Sequence, residues 1–413
     1  MKKVELLAPA GDLERLKIAV IYGADAVYVG GQIFGLRAAA KNFSLEDLKE
    51  GIDFAHKHGV KIFVTANIIP HNDDLEDLPQ YLREIEKIGV DAVIVSDPGT
   101  FSIVQETIPN MEIHISTQAN NTNYSTVNFW HKLGAKRVVL ARELSFGEIK
   151  EIKRNIPDTV ELEAFVHGAM CISYSGRCLL SNYMAGRDAN RGECAHPCRW
   201  NYYLVEEKRP GEYMPIFEDE KGTYIMNSKD LCMIEYIPEL IGSGINSLKI
   251  EGRMKTTYYV ATIIRAYRIA LDHYYNNPTN WSFQPEWLEE IKKASHRDFT
   301  TGFYLDKPDH KEHIYGDQSY VRGYSFIGIV KEYDEETKIA TIEQRNRFFS
   351  GEDIEIIGPN EKVIRMFIEK MWDEEDNEIS VAPHPKQTVK FVIDEKIEPY
   401  YILRKERKDE EIG

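Results

Sequence analysis

The chain reads as an α/β protein, a TIM-type (β/α)8 barrel with a cysteine-rich insertion after its seventh strand and a small all-β domain behind it. Three observations predict this. Short Val/Ile/Leu-rich runs recur through the first 250 residues, amphipathic helix-like segments separate them, and the rhythm breaks once, for 80 residues between Val166 and Ser247. Near-continuous apolar strands alternating with helices indicate a parallel sheet covered by helices. A doubly wound open sheet is the main competitor.

The strand-like runs are Val4–Leu7, Ala26–Val29, Lys61–Thr65, Ala92–Val95, Glu112–Ile115, Arg137–Leu140, Glu161–Val166 and Ser247–Ile250. Between them, Leu13–Ile21, Ser44–His58, Asp77–Ile88 and Ser145–Asn155 carry apolar residues at helical spacing. Ser44 with Asp47, and Ser145 with Glu148, have the N-cap pattern, and Gly59, Gly89 and Gly134 stand where helices should stop. Gly30–Gly31 reads as a tight turn. Tyr258–Tyr275 reads as a long helix, followed by a polar stretch at Asn276–Thr279 and a further helix at Glu286–Ala294. From Phe326 to Leu403, seven short runs spaced by turns have the all-β pattern. The expected organisation is therefore a barrel over 1–280 with an insertion at 168–245, a linker and helix over 281–324, and a small β-barrel-like domain over 325–413.

Composition narrows the function classes. Lys and Arg total 51 against 67 Asp and Glu, a formal charge of −16, which argues against a general positive coat for nucleic acid or anionic membrane. No stretch has the roughly 18 continuous apolar residues of a membrane span, and Met1–Glu5 is charged rather than a signal-peptide start, so a cytoplasmic protein without membrane contact is expected.

All five cysteines fall between Cys171 and Cys232, spaced C-x6-C-x15-C-x3-C-x33-C, inside the insertion. Loops after barrel strands form the functional face, so these thiols belong there. Soft thiolates select zinc or iron–sulfur clusters, and the absence of C-x2-C knuckles favours a four-iron four-sulfur cluster over structural zinc. A cysteine nucleophile paired with His167, four residues from Cys171, is the third reading.

A second constellation follows the strands: Asn67, Asp97, Gln118 with Asn120, Arg142 with Glu143, His167, and Glu251 with Arg253. Polar side chains at one end of successive strands outline a basin for a small anionic metabolite or a nucleoside. Asn67, Gln118, Arg142 and Arg253 are its candidate binding residues, and Glu143, His167 and Glu251 its candidate acids and bases. The insertion is locally basic, with Arg177, Arg187, Arg191 and Arg199 against Asp188 and Glu193. Tyr174, Tyr183, Trp200, Tyr202 and Tyr203 are interleaved, a mixture suited to single-stranded RNA, for which Arg177 and Trp200 are the candidate contacts.

The segments Glu163-Ala-Phe-Val-His-Gly-Ala-Met-Cys171 and Ser175-Gly-Arg-Cys178-Leu-Leu-Ser181 resemble the signature of the collagenase-like peptidase family of unknown catalytic type, family U32. Glu5–Gly11, Tyr22–Tyr28, Cys198-Arg-Trp200, Tyr224–Leu231 and Ser247–Arg253 extend the resemblance over nearly the whole chain. Within that family the chain is most similar to the branch that acts in prephenate-dependent tRNA wobble-uridine hydroxylation. The resemblance implies a barrel with a cysteine-ligated iron–sulfur cluster, with Cys171 and Cys178 as ligands. Cys194 and Cys232 complete the expected set, with Cys198 as the alternative fourth ligand. It also implies a tRNA anticodon loop as substrate, a prephenate-derived small anion as co-substrate, and room for a protein partner. Peptide hydrolysis, hydroxylation of ribosomal RNA cytidine or of a ubiquinone precursor, and a non-catalytic assembly role are the alternatives.

Overall fold

The computed structural model describes residues 3–31, 42–171, 173–199, 218–219, 222–223, 229–305 and 321–407. Seven parallel strands follow one another around the sheet: β1 (Glu5–Pro9), β2 (Ala26–Gly30), β3 (Lys61–Ala66), β4 (Ala92–Val95), β5 (Glu112–Ile115), β6 (Arg137–Val139) and β7 (Glu161–Ala169). The strand Ser247–Ile250 pairs in parallel with β7, Lys249 opposite Phe165, and with β1, Leu248 opposite Leu6. This double pairing closes the barrel and excludes the open sheet.

Local chemistry sets the helices between the strands. Ser44 accepts from the Asp47 amide, and Ser145 and Glu148 form a reciprocal capping box. Gly59, Gly89 and Gly134 all take positive φ just past their helices, where a side chain would be strained. Gly30 and Gly31 do not make the expected tight turn. Gly30 ends β2, Gly31 bridges to Phe43, and a Cβ on Gly30 would lie 1.9 Å from Arg253 Nη2. The glycine is there to admit a guanidinium.

The barrel interior is divided. Leu7, Ala26, Tyr28, Phe63, Ala92 and Ile94 form an apolar cluster on the side of the first four strands. Against this cluster, with Arg137 over the Phe63 ring and Lys249 over the Tyr28 ring, Arg137 bridges Glu5, Glu161 and Glu163, and Lys249 Nζ lies 2.7 Å from Glu163. Burial pushes the Glu163 carboxyl up, but Lys249 and Arg137 together hold it below the usual carboxylate range.

Strand β7 runs to Ala169, three residues past its expected end, and two further strands build onto it. Asp230–Cys232 pairs antiparallel to β7, and Phe299–Thr300 pairs with Asp230–Cys232. The buried Asp230–Arg297 pair, 2.6 Å apart, fastens this addition.

The helix Thr257–Asn276 is buried along most of its length because the barrel lies on one side and the C-terminal β domain on the other. That domain is an antiparallel sheet in which Tyr324–Tyr333 pairs with Ile339–Gln344 and Ile402–Glu406. Tyr22 donates to the Ile357 carbonyl, and Glu290, at the end of the barrel region, lies between Arg265 and Arg404. Among the described residues, no helix is long and apolar enough to cross a membrane.

Candidate functional site

The C-terminal ends of the barrel strands open into a cavity of about 440 Å³. Its lining combines the cysteine insertion with the polar rim, as expected for the functional face of such a barrel. Asn67, Gln118, Arg142, Glu251 and Arg253 all line it, and so do Cys171, Cys178, Cys194 and Cys198.

The insertion is held over the barrel by a short set of contacts. Cys178 N–H donates to Asn190 Oδ1, Asn190 Nδ2 returns a bond to the Cys178 carbonyl, and Cys178 Sγ accepts from the Leu180 amide at 3.3 Å. The Ile69 amide donates to the Asn190 carbonyl, and Arg191 pairs with Asp74 at 2.6 Å. Thiol-facing amides and a fixed loop suit metal-bound sulfur, which must be a thiolate. Burial pushes the Cys171 thiol up, with the Ser173 amide and the Arg142 guanidinium acting in the other direction. Among the described residues, no three His, Cys, Asp or Glu side chains converge tightly enough to hold a metal ion; the thiols of Cys171, Cys178, Cys194 and Cys198 that line the cavity are soft donors of the kind an iron–sulfur cluster takes.

Cys232, expected as a ligand, does not line this cavity. It pairs opposite His167 in the added strand and is buried in the barrel's outer core beside Tyr267. Burial pushes its thiol up to about 12. Cys198, expected as the alternative, is the one on the cavity wall with the other three.

His167 is not a partner for Cys171. The segment between them is strand through Ala169 rather than helix, so the four-residue spacing places them apart. The His167 ring sits between Tyr259, Tyr267 and Phe299, fully buried, and burial lowers its proton affinity to a pKa of about 3. It is a neutral core histidine. Glu143 is also committed, since one oxygen accepts from the Ser175 amide at 2.6 Å and the other from the Ser175 hydroxyl at 2.7 Å. It fixes a turn in which Ser175 adopts φ 45°. Of the three candidate acids and bases, only Glu251 faces the cavity. Its backbone packs on Gly168, whose φ of 107° and missing Cβ allow the close approach.

Arg177 is exposed and its Nε donates to the Gln118 carbonyl at 2.7 Å, tying the insertion to the β5 loop. Asp97 caps the helix Pro98–Thr107, and Asn120 takes left-handed backbone. Trp200, Tyr202 and Tyr203 lie outside the described residues.

Within the rim, Asn67 Nδ2 donates to Ser116 Oγ at 3.2 Å, while Asn67 Oδ1 and Gln118 Oε1 are buried and find no partner among the described residues. Arg253 reaches Thr65 and Asn42, at 3.1 and 3.0 Å. Arg142 lies 3.8 Å above the Phe165 ring. Sequence reasoning missed Lys249, Lys255 and Arg322, which also line the cavity. Lys249 left a signal, because with Ser247 it makes a polar, alternate-residue face in an otherwise apolar barrel strand. Arg322 left none, since only the fold returns it to the rim.

The family described as Peptidase family U32 matches residues 11–314, and its C-terminal domain matches 322–404. The chain belongs to peptidase family U32. Among its curated U32 relatives, the tRNA hydroxylation protein P1 of Bacillus subtilis is 47% identical over 404 residues, covering 98% of this chain and 95% of that protein. The tRNA hydroxylation protein P of Escherichia coli is 39% identical, covering 98% and 96%. A 23S rRNA 5-hydroxycytidine synthase of Escherichia coli is 40% identical over 270 residues, 65% of this chain and 39% of that protein.

Proposed function

We propose that this U32 protein is an RNA-modifying hydroxylase that forms 5-hydroxyuridine at the wobble position of tRNA. The observation that carries the reading is the cavity itself, where four thiols of one insertion share a wall with a set of cations and with the amide oxygens of Asn67 and Gln118, which have no partner among the described residues. The full-length relatives named for tRNA hydroxylation support tRNA as the substrate class.

In this reading the amide rim of Asn67 and Gln118 holds the pyrimidine, and Glu251 is the acid or base that reaches it. Arg142 and Arg253 offset negative charge. Cys171, Cys178 and Cys194 hold an iron–sulfur cluster, with Cys198 favoured by position as the fourth ligand over Cys232. The cluster supplies electron transfer or fastens the insertion. The anticodon loop lies over the arginine- and tyrosine-bearing insertion, and a small anionic co-substrate shares the basin.

The test is nucleoside mass spectrometry of total tRNA and ribosomal RNA from cells with and without the gene, complemented by wild type, Cys171→Ala, Cys198→Ala or Cys232→Ala. The expected result is loss of 5-hydroxyuridine derivatives from tRNA, not restored by Cys171→Ala, with iron content of the purified variants separating Cys198 from Cys232. Unchanged RNA in every fraction would sink the reading. Peptide hydrolysis has less support, because His167 and Glu143 are both committed elsewhere. Cleavage of gelatin by clean protein, lost in Cys171→Ala, would revive it.

A further inference from the structure

The segment that carries Glu251 and Arg253 is packed without room to spare on the barrel side. Three glycines from other strand ends admit it. A Cβ on Gly11 would lie 2.2 Å from the Arg253 carbonyl oxygen, one on Gly30 1.9 Å from Arg253 Nη2, and one on Gly168 2.7 Å from the Glu251 carbonyl oxygen, all inside the 3.0 Å that real Cβ atoms keep. The Glu251 amide donates to the His167 carbonyl at 2.8 Å, and the Tyr259 hydroxyl donates to the Glu251 carbonyl at 3.1 Å. Close-packed surfaces of this kind transmit a displacement rather than absorb it.

From outside, the β domain reaches the same segment. Thr257, the first residue of the long helix that follows it, donates its hydroxyl to Glu14 Oε1 at 2.7 Å. Glu14 lies in the first turn of the helix Leu13–Ile21, three residues past Gly11. Arg345, between the strands Ile339–Gln344 and Phe348–Phe349, closes on that carboxylate with both terminal nitrogens, Nη1 at 3.2 Å from Oε1 and Nη2 against Oε2. The Arg345 amide is anchored in its own domain by the Ile327 carbonyl at 2.8 Å, and its guanidinium also pairs with Glu343 at 2.6 Å and lies over the Phe326 ring. Burial pushes the Glu14 carboxyl up, but Arg345 and Thr257 hold it below the usual carboxylate range. A two-pronged guanidinium pair fixes direction as well as distance.

We propose that Arg345 is a positioning residue for the cavity, and that through Glu14 and Thr257 the β domain sets the place of the Glu251–Arg253 segment. The site is then completed by a domain that does not line it, since among the described residues the cavity lining ends at Arg322, before the β domain begins. The three glycine contacts pass a shift at Thr257 on to Glu251 and Arg253. What those two residues do there rests on the hydroxylase reading; the brace itself does not.

The experiment joins hydrogen–deuterium exchange of the full-length protein to nucleoside mass spectrometry of tRNA from complemented cells. The variants are Arg345→Gln, Arg345→Lys, Glu14→Gln, the double Arg345→Gln with Glu14→Gln, and Lys370→Gln as a control at an exposed pair of the same domain. Glu14 is 34% exposed, so losing its partner strands no buried charge and the melting temperature should hold. Arg345→Gln is expected to speed exchange over residues 251–257 about tenfold and to lower tRNA 5-hydroxyuridine by roughly tenfold, short of the hundredfold or so that a full 1 Å misplacement costs. Arg345→Lys should restore part of both, Glu14→Gln should match Arg345→Gln, the double variant should be no worse than either, and Lys370→Gln should change neither readout. Wild-type exchange over 251–257 in Arg345→Gln overturns the proposal. So does faster exchange there with wild-type modification, or a lowered melting temperature with exchange raised throughout the chain. The exchange arm needs no RNA: 5-hydroxyuridine that does not depend on the gene removes the hydroxylase reading, while faster exchange confined to 251–257 keeps the brace.

Discussion

His167 shows how neighbours assign a residue's chemistry. Surrounded by Tyr259, Tyr267 and Phe299, its ring stays neutral to a pKa of about 3, while in the unfolded chain it titrates near the ordinary histidine value of about 6.5. Between those values the unfolded state binds the extra proton, so stability must fall as pH drops through this window, by up to about 1.4 kcal/mol per pH unit, and is unaffected above it. Urea titrations from pH 7 to pH 4 should show this slope, and His167→Gln should flatten it by one proton. An unchanged slope would place the ring in water. The same logic separates the carboxylates. Glu143 and Glu251 look alike in the sequence, each beside an arginine at a strand end. Only the turn at Ser175 shows that Glu143 is a loop anchor.

At the scale of elements, the addition to β7 organises the thiols. The strand Asp230–Cys232 turns Cys232 toward the barrel's outer core and holds Phe299–Thr300 through the buried Asp230–Arg297 pair. Removing one member of a buried pair leaves the other charge without compensation, at a cost of roughly 3–5 kcal/mol. Asp230→Asn should lower unfolding stability by that order, whereas replacing the exposed Asp158 should change it by less than about 1 kcal/mol. Equal effects from the two would show that the pair does not fasten the strand. This addition was not legible in the sequence. Three residues of strand inside a cysteine-rich loop carry no alternation to read, and their partner lies some sixty residues upstream, so pairing decides them. The eight barrel strands were legible, because each carries a short run of buried Val, Ile, Leu, Phe or Ala even where a residue such as Arg137, Glu163 or Lys249 turns a charge into the interior.

For the molecule as a whole, the β domain is part of the barrel's support. Arg404, in the domain's core strand, pairs with Glu290 and Glu355, and Arg265 on the long helix reaches Glu290 and the Asn360 and Glu361 carbonyls. Arg404→Met removes the guanidinium that Glu290 and Glu355 share at the junction, while Arg265 still pairs with Glu290 and Lys293 with Glu355. Its expected effect is a loss of roughly 1.5–3 kcal/mol, the scale of hydrogen bonds to a charged group, together with earlier cleavage in limited proteolysis. A variant with wild-type stability and cleavage would mean that the domains are held by apolar contact alone, such as Tyr258 stacked on Phe326.

The amino-acid sequence alone determined the barrel, the place of the insertion, the clustering of thiols and the polar rim, because periodicity, caps and spacing are local properties of the chain. Tertiary structure decided which groups face one another. It withdrew His167 and Glu143 from proton chemistry, put Cys198 rather than Cys232 on the cavity wall, and brought Lys249 into that wall. Each of these outcomes depends on contacts between residues distant in the chain, where burial and the nearest charge set the protonation state and reach of a side chain.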